Sequence, residues 1–333
     1  MLKYPIKTAA AIVSVSCVLV SCGGNSDSAN TGNAAAKFTI DNCGLELEFK
    51  DVAQRAVTTE QAATDTLLAL EVEKQVVGTA NLKTAVLPEY KDKYEAIEKI
   101  AEKVPTAEQV RAVDPDLVYS PFESVFAADK IGTREELKEL GVNAYYSNVE
   151  CRDYEPNVGK DAFDLIAKDI TDLGTIFGAE ERAKKLVEEQ EKIVSEAKKV
   201  EVKNKDIKSV VYLYSVYKGA PYVAGATGVG QSISDIVGVE NAFGHVKELW
   251  PEVAWEAIAE RNPDVIVLAD LKERGAPGDS YEDKIEAMKK DPAMSKLDAV
   301  KNERFIIVPG VELDANVRSA HALKLIADGL AEQ

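Results

Sequence analysis

The chain has 333 residues, of which 46% are apolar and 29% are charged, a composition typical of a globular protein with one large core or two ordinary ones. This composition excludes disorder over most of the length. The formal charge is -17, from 40 basic and 57 acidic residues, and the sequence has no basic stripe. A nucleic-acid binder needs such a stripe to neutralise phosphates, so nucleic acid is excluded as a partner.

The first 21 residues have the pattern of a bacterial export signal. Lys3 and Lys7 give it a positive end, and the apolar stretch that follows is too short to span a bilayer comfortably. The sequence LVSC then resembles a lipobox, at which the signal is cut and Cys22 is lipidated. We therefore expect a signal peptide over 1–21 and a lipid-anchored protein on the extracytoplasmic face of the cell membrane. An ordinary signal peptide that is cut further on is the alternative.

The mature chain is expected to start with a tether and to contain one disulfide. Residues 22–36 have too little apolar surface to fold, which predicts a flexible tether. Because Cys17 leaves with the signal and Cys22 carries lipid, only Cys43 and Cys151 are left. In an exported protein we expect this pair to form a disulfide. A metal site is the alternative, which the lack of neighbouring histidines disfavours.

Residues 37–160 predict a first α/β lobe, because short apolar runs alternate there with helical patterns. The lobe is expected to begin with a hairpin over 38–49. The predicted strands cover 55–59, 75–80, 116–120 and 143–147, and the predicted helices cover 62–71, 107–113 and 133–140.

Residues 161–203 are almost free of strand signals and rich in Ala, Glu, Lys and Leu, so they are predicted to be helical. Gly174 and Gly178 are expected to break this region and to leave a second helix from Glu180 to about Val200. A second α/β lobe is predicted over 204–333. Its strands are expected over 209–215, 221–225, 264–270 and 304–310, and its helices over 231–237, 254–261, 281–289 and 315–331.

A short phrase occurs twice in the chain, as EQVRAVDPDLVY at 108–119 and EAIAERNPDVIV at 256–267. Each copy predicts a short helix that ends before a proline and leads into a buried strand. Pro115 and Pro263 cannot continue a helix, and proline biases the residue before it toward extended backbone. We interpret the phrase as a helix-to-strand connector that occurs once in each lobe.

Each copy of the phrase begins with a glutamate in the first turn of the predicted helix. Thr106 and Gln109 predict a capping box, which puts Glu108 where a carboxylate favours the helix dipole. Glu256 has the same spacing from its proline. Either glutamate alone is typical of a helix surface. Two of them at equivalent places in two lobes suit a partner that is itself two-fold symmetric.

Six segments between roughly residues 38 and 328 carry a resemblance to a known family: TIDNCGLELEF, RAVTTEQAATDTLLALEVEKQVVGTANL, GTREELKELGV, LGTIFG, WPEVAWEAIAERNPDVIV and RFIIVPGVELDANVRS. Together they resemble the lipoprotein substrate-binding components of ABC importers for ferric siderophores, haem and cobalamin. Two positions depart from the usual family pattern: Glu71 stands where Gly commonly ends the first helix, and Ala254 replaces a common Ser cap.

This resemblance implies an α/β fold of two lobes joined by one long rigid helix, with the ligand in a cleft between the lobes. It implies a monomeric receptor without an intrinsic cofactor, which captures a ferric siderophore and delivers it to an ABC permease dimer with its ATPase. Glu108 and Glu256 match the positions at which the family contacts permease arginines. Haem or cobalamin is the alternative ligand.

The expected ligand contacts lie on loops that follow strands, because open α/β folds bind ligands outside the carboxyl ends of their strands. Trp250 matches a family position that packs on the ligand. Arg318 is the candidate for holding an anionic group, and an internal pair with Glu312 is the alternative. The expected ligand-binding residues are Thr59, Glu60, Gln61, Asn81, Phe122, Tyr146, Ser215, Tyr217, Tyr222, Trp250 and Arg318.

Other classes of function are less well supported by the residues. Binding of bare zinc or manganese is disfavoured because the chain has only two histidines, His245 and His321, although haem could use His245 or a tyrosine. An enzyme is the rival class, but GATGVGQS at 225–232 lacks the P-loop lysine, and no GxSxG elbow or HExxH helix occurs. A ligand sensor without its own permease is a third interpretation.

Overall fold

The computed structural model describes residues 38–333. The predicted signal peptide 1–21, the lipidation site Cys22 and the tether 22–36 therefore lie outside the described residues. Among the residues that the structure describes, no helix is both long and apolar enough to cross a membrane.

The first described element is the β-hairpin that the sequence predicted, made of β1 (Phe38–Asn42) and β2 (Leu45–Phe49). Its two turn residues, Cys43 and Gly44, have φ angles of 55° and 80°. Two-residue hairpin turns of the favoured type need positive φ at both positions, because only then does the twist of the turn match that of the strands. Glycine in the second turn position adopts this backbone without strain.

The first lobe is built on a parallel sheet whose four predicted strands are all confirmed. A fifth strand was not predicted, because it is a three-residue edge strand in which no residue is buried. The strands are β3 (Ala56–Thr58), β4 (Val76–Ala80), β5 (Lys99–Ala101), β6 (Leu117–Ser120) and β7 (Asn143–Tyr146), in the order β5-β4-β3-β6-β7. The helices are α1 (Gln61–Ala69), α2 (Lys91–Glu95), α3 (Ala107–Ala112) and α4 (Arg134–Glu139).

Two helices separate the sheets, α5 (Ala162–Phe177) and α6 (Glu180–Ala197). The predicted break at Gly178 is confirmed, since this residue ends α5 with a φ angle of 70°. The predicted break at Gly174 is wrong. This glycine lies inside α5, where a Cβ atom would collide with the side chain of Ala183 on α6. Gly174 therefore allows α5 and α6 to pack closely and does not end α5.

The second lobe also contains all four predicted strands, together with a two-residue strand. The strands are β8 (Ser209–Tyr217), β9 (Ala220–Val223), β10 (Glu240–Asn241), β11 (Val265–Asp270) and β12 (Phe305–Pro309), in the order β10-β8-β11-β12 with β9 antiparallel to β8. The helices are α7 (Gly228–Val237), α8 (Trp255–Arg261), α9 (Tyr281–Lys290), α10 (Asp298–Lys301) and α11 (Ser319–Glu332).

Four strands of each sheet have the same arrangement. Strand β3 or β8 lies between β4 or β10 on one side and β6 or β11 on the other, and β7 or β12 lies beyond β6 or β11. The remaining strands differ, because β5 lies beyond β4 whereas β9 pairs with β8 in the antiparallel direction. The repeated phrase forms α3 with β6 in one lobe and α8 with β11 in the other, so its two copies occupy equivalent places.

The bridge between the lobes consists of both α5 and α6. The amide of Ala162, at the start of α5, donates to the Ser232 hydroxyl of α7 at 2.9 Å. The carbonyl of Ile176, near the other end of α5, accepts from the amide of Ala53 beside the first sheet at 2.9 Å. One buried apolar cluster runs through α1, α5, α11 and β8. The lobes therefore share a core.

Cys43 of the hairpin turn and Cys151, which follows β7, form a disulfide whose Cα atoms are 5.8 Å apart. The bond closes a separation of 108 residues. In the chain-entropy model such a loop contributes about 4 to 5 kcal/mol to stability. The disulfide therefore attaches the hairpin to the edge of the first lobe.

The aspartate that follows the proline in each repeated phrase has a structural function. The Asp116 carboxylate accepts hydrogen bonds from two backbone amides just before β3, at 2.7 and 3.0 Å. The Asp264 carboxylate accepts two at the start of β8, at 2.8 and 3.0 Å. Each aspartate thus holds the strand that follows it, β6 or β11, in register with the first strand of its sheet, β3 or β8.

The expectation of extended backbone before the prolines is wrong. Asp114 and Asn262 both have φ angles of 47°, in the left-handed region. Proline disfavours the right-handed helical region for the residue before it, and a helix end can meet this restriction with a left-handed residue. Asp and Asn tolerate that region better than most residues do, which explains their occurrence at this position.

Candidate ligand-binding cleft

A cavity of about 560 Å³ lies between the lobes, at the carboxyl ends of strands from both sheets. Open α/β folds bind ligands at such a place, and cavities of this size bury most of a drug-sized ligand. The lining residues are Asn81, Lys103 and Val104 from the first lobe and Tyr214, Ser215, Tyr217, Tyr222, Trp250, Arg274 and Ala276 from the second.

Aromatic rings from the second lobe form one wall of the cleft. The Trp250 indole stacks on the Tyr214 ring with their centroids 4.2 Å apart. The Tyr217 side chain is 53% exposed, and the Lys218 ammonium lies 5.1 Å from its ring centroid. The Tyr222 hydroxyl donates to Glu252, which orients its ring. Flat rings of this kind suit a ligand that carries its own rings or apolar arms.

Five of the residues expected from the sequence lie together in this cavity: Asn81, Ser215, Tyr217, Tyr222 and Trp250. Asn81 follows β4 directly and has a φ angle of 53°, a left-handed conformation that asparagine tolerates. The cavity also contains two cations that were not among the expected contacts. Lys103 follows β5, which had no signal in the sequence, and Arg274 lies in the loop that follows β11.

Beneath the aromatic wall, Lys83 connects the lobes through a buried ion-pair network. Its ammonium pairs with Glu60 of the first lobe and lies 3.0 Å from Asp314 Oδ2 of the second. It also donates to the Tyr214 hydroxyl at 3.2 Å and lies 5.0 Å from the centroid of the Phe122 ring. Glu60 was an expected ligand contact, but its carboxylate forms an ion pair with Lys83 of the protein itself.

The pKa values of this network follow from its burial. Burial alone would lower the pKa of Lys83, but the charges of Asp314 and Glu60 outweigh it and raise this pKa well above its usual value. Burial raises the pKa values of the Glu60 and Asp314 carboxyls, which share a single ammonium. The lysine thus stays charged, and its charge is what allows two carboxylates to be buried together.

Arg318 lies in a second buried cluster that joins the lobes. Its guanidinium donates to Asp65 of α1 at 2.9 Å and to Glu312 at 2.8 Å. Glu312 also contacts the imidazole Nδ1 of His321 at 2.8 Å. Burial raises the pKa of Asp65 to about 6. The structure thus has the internal pair that was the alternative for Arg318, and the residue does not line the cavity.

The other expected contacts lie behind the cavity surface. Thr59 is fully buried, and the Gln61 side chain accepts from the backbone amides of Lys83 and Thr84, both at 2.9 Å. Phe122 lies under the Lys83 ammonium. Tyr146 is buried with the Arg134 guanidinium 4.7 Å from its ring centroid. These residues pack the floor and the first lobe.

Neither histidine lies in the cavity. The His245 Nε2 atom is 2.8 Å from a guanidinium nitrogen of Arg261, beside a separate surface pocket. His321 is bound to Glu312. A haem ligand from the cavity wall would therefore be a tyrosine and not His245.

A family profile described as periplasmic binding protein matches residues 57–311, which is most of the chain. The chain belongs to the periplasmic binding protein family. This membership indicates a binding protein that works outside the cytoplasm. A search of the curated proteins found no match.

Solved structures of periplasmic binding proteins have the same fold. One from Veillonella parvula is 24% identical with a TM-score of 0.72, over 89% of this chain and 98% of that chain. A protein of an ABC-type Fe3+-hydroxamate transport system from Saccharomonospora viridis is 27% identical, with a TM-score of 0.72, over 88% and 98%. The triscatecholate siderophore binding protein of Bacillus subtilis is 17% identical, with a TM-score of 0.67, over 89% and 99%.

In this periplasmic binding protein, Glu108 and Glu256 are exposed in the first turns of α3 and α8. The capping box that starts α3 is present, and in it the backbone amide of Gln109 donates to the Thr106 hydroxyl at 3.3 Å. Helix α8 begins at Trp255, and Ala254 before it provides no side-chain cap, as expected where alanine replaces serine. The two glutamates therefore project from equivalent helices, one on each lobe.

Replacement of Lys83 by methionine is expected to destabilise the protein in a pH-dependent way. Removal of one partner of a buried ion pair costs about 3 to 5 kcal/mol, because the opposite charges are left uncompensated. Without the ammonium, the pKa values of Glu60 and Asp314 in the folded state rise further above their unfolded values. Stability from such groups is present at low pH and is lost as pH rises through the folded pKa. The loss should be larger at pH 7.5 than at pH 5.

Chemical denaturation of the Lys83→Met variant at both pH values, with its disulfide intact, tests this expectation. Lys103→Met is the matched control, since Lys103 is exposed and should change the free energy of unfolding by less than about 0.5 kcal/mol. An equal loss at the two pH values would show that the carboxyl groups are not its source.

Proposed function

We propose that this protein is the substrate-binding lipoprotein of an ABC importer, which captures a ferric siderophore and delivers it to the permease. The observation that carries the proposal is the cleft itself: an open cavity with an aromatic wall and cationic side chains, between lobes that share a core. The relative from Saccharomonospora viridis belongs to a Fe3+-hydroxamate transport system, and the one from Bacillus subtilis was solved with ferri-bacillibactin.

The chemistry of a ferric chelate fits this cavity. Such a chelate presents its metal already coordinated, so the protein needs to contact only its organic shell. Stacked rings and hydrogen-bond donors, such as Trp250 and Asn81, can make those contacts without ligating iron. Haem and cobalamin are the alternative ligands, and a titration with each of them distinguishes these possibilities.

Binding of a ferric siderophore is expected to quench the fluorescence of Trp250. The chain has two tryptophans, and Trp255 lies outside the cavity with its indole N–H donating to the Gly219 carbonyl at 3.1 Å. In a Trp255→Phe variant the emission therefore reports on Trp250 alone. Quenching should saturate with the chelate and be absent with the metal-free siderophore at the same concentration.

A Trp250→Phe variant, which keeps Trp255, is the matched control and should lose most of the signal. Titrations cover ferric hydroxamate and catecholate chelates, haem and cobalamin. Unchanged emission with all four would contradict the cleft assignment. Quenching by haem or cobalamin alone would show that this compound, and not a siderophore, is the ligand.

We further propose that Glu108 and Glu256 contact the permease, one subunit each. Two exposed carboxylates at equivalent places on two similar lobes match a partner with two-fold symmetry. Exposed ion pairs are worth about 0 to 1 kcal/mol each, so the pair contributes mainly orientation and partner choice.

Replacement of both glutamates by alanine should reduce iron uptake by roughly tenfold while ligand affinity is unchanged, since about 0.7 kcal/mol is lost at each contact. Uptake of radioactive ferric siderophore by cells with each variant measures this loss. The matched control is the double variant Glu135→Ala and Glu282→Ala, which removes exposed first-turn carboxylates from α4 and α9. If the control reduces uptake equally, or if E108A/E256A loses ligand affinity, the docking assignment is wrong.

We also propose that Cys22 carries the lipid anchor, on the basis of the LVSC sequence at 19–22. Replacement of Cys22 by serine should prevent lipidation and move the protein from the membrane fraction to the soluble extracytoplasmic fraction. Fractionation of cells labelled with a fatty-acid probe measures both effects. The matched control is Cys17→Ser, because a label that depends on Cys17 instead would place the cut in a different position.

A further inference from the structure

We propose that Arg274 is the specificity-determining residue of the cleft and that, with Lys103 on the opposite lobe, it selects ferric chelates of net negative charge. The chemical class is a chelate whose donors are catecholate or carboxylate oxygens, in contrast to neutral or cationic hydroxamate chelates. This inference rests on the proposed function and deepens it. It starts from the charged residues of the cavity wall, which are two cations and no carboxylate among the described lining residues.

Arg274 is held in a defined position by the loop that follows β11. Its Nε atom donates to Asp279 Oδ2 at 2.9 Å, and its Nη2 atom bonds the other oxygen of the same carboxylate. Among the described residues no hydrogen-bond partner of Nη1 is found. A guanidinium that is fixed by a bidentate pair on one edge still offers donors to a ligand on the other.

The loop itself is rigidly attached. The Ala276 amide donates to Asp279 Oδ2 at 3.0 Å, and the Leu271 amide donates to the Asp279 carbonyl at 3.0 Å. The Val216 amide of β8 donates to the Gly278 carbonyl at 3.3 Å. Gly278 has a φ angle of 84°, and a Cβ atom there would collide with the Val216 carbonyl. The backbone that carries Arg274 therefore packs directly on a core strand.

The carboxylates that interact with Arg274 do not face the ligand space. Asp279 and Asp314 both act on its charge, yet both are buried and neither lines the cavity. Asp314 is paired with Lys83. On the first lobe, Lys103 is exposed and has no carboxylate partner among residues 38–333. A ligand between the lobes thus meets cationic donors from both of them, although the protein as a whole is acidic.

Equilibrium titration of the purified protein with chelates of different charge tests the inference. The probes are ferric enterobactin, a trianionic tris-catecholate; ferric citrate, an anionic carboxylate chelate; ferrichrome, a neutral tris-hydroxamate; and ferrioxamine B, which is cationic. The wild type is compared with Arg274→Gln, Arg274→Lys and Lys103→Gln, after a thermal melt has established that each variant is folded. If Arg274→Gln does not fold because its pair with Asp279 is lost, the Lys103→Gln variant still tests charge selection.

We expect at least one anionic chelate to bind tenfold or more tightly than the neutral and cationic ones, with an affinity that falls as salt is raised. Arg274→Gln and Lys103→Gln should each weaken the anionic chelate about tenfold and change the affinity for ferrichrome less than twofold. Arg274→Lys should restore part of the loss. The two anionic probes show whether catecholate or carboxylate oxygens are preferred.

Two results would overturn the inference. Binding of ferrichrome or ferrioxamine B as tightly as the anionic chelates, with no effect of Arg274→Gln or Lys103→Gln, would refute charge selection while the proposed siderophore function stands. Failure of all four chelates to bind folded wild-type protein would refute the proposed function, and the selection with it.

Discussion

The geometry of the cleft depends on one buried interaction, the ammonium of Lys83 between Glu60 of the first lobe and Asp314 of the second. A buried charge is tolerated only when it is paired, so neither lobe can turn away without leaving charges uncompensated. The ion pairs of Arg318 with Asp65 and Glu312 join the lobes in the same way, because separating the lobes would leave these buried charges unpaired too. Two lobes that could hinge are thereby held together, and the residues of the cavity wall keep a fixed separation.

A fixed cleft has consequences for binding and delivery. Preorganised side chains lose little conformational freedom when a ligand arrives, so more of the contact energy becomes affinity. In the delivery that we propose, the permease has to separate or distort the lobes. The duplicated sheet topology repeats one helix-to-strand connector on each lobe and displays Glu108 and Glu256, the proposed docking residues, at equivalent positions.

Much of the fold was predictable because its signals are local. The sequence predicted ten of the twelve strands in residues 38–333, two in the hairpin and four in each lobe, and only the polar edge strand β5 and the two-residue β10 had no signal. The cleft was partly predictable, since loops after strand ends must meet there, and five of the expected residues line the cavity. Glu60 and Arg318 were expected to contact the ligand, but each belongs to a buried cluster. The sequence did not show that a residue of the other lobe, Asp314 in one cluster and Asp65 in the other, completes it. Asp65 and Arg318 are 253 residues apart.

The sequence by itself therefore determined most of the secondary structure, the two similar α/β halves, the family and most of the helix ends, because each of these depends on periodicity, turn residues or motifs over a few residues. The tertiary structure alone decided which charged side chains form buried ion pairs inside the protein and which face the cleft. That choice depends on distances between residues far apart in the chain. For this reason Arg318 forms buried ion pairs that join the lobes, whereas Arg274, held by Asp279, lines the cavity where a ligand can contact it.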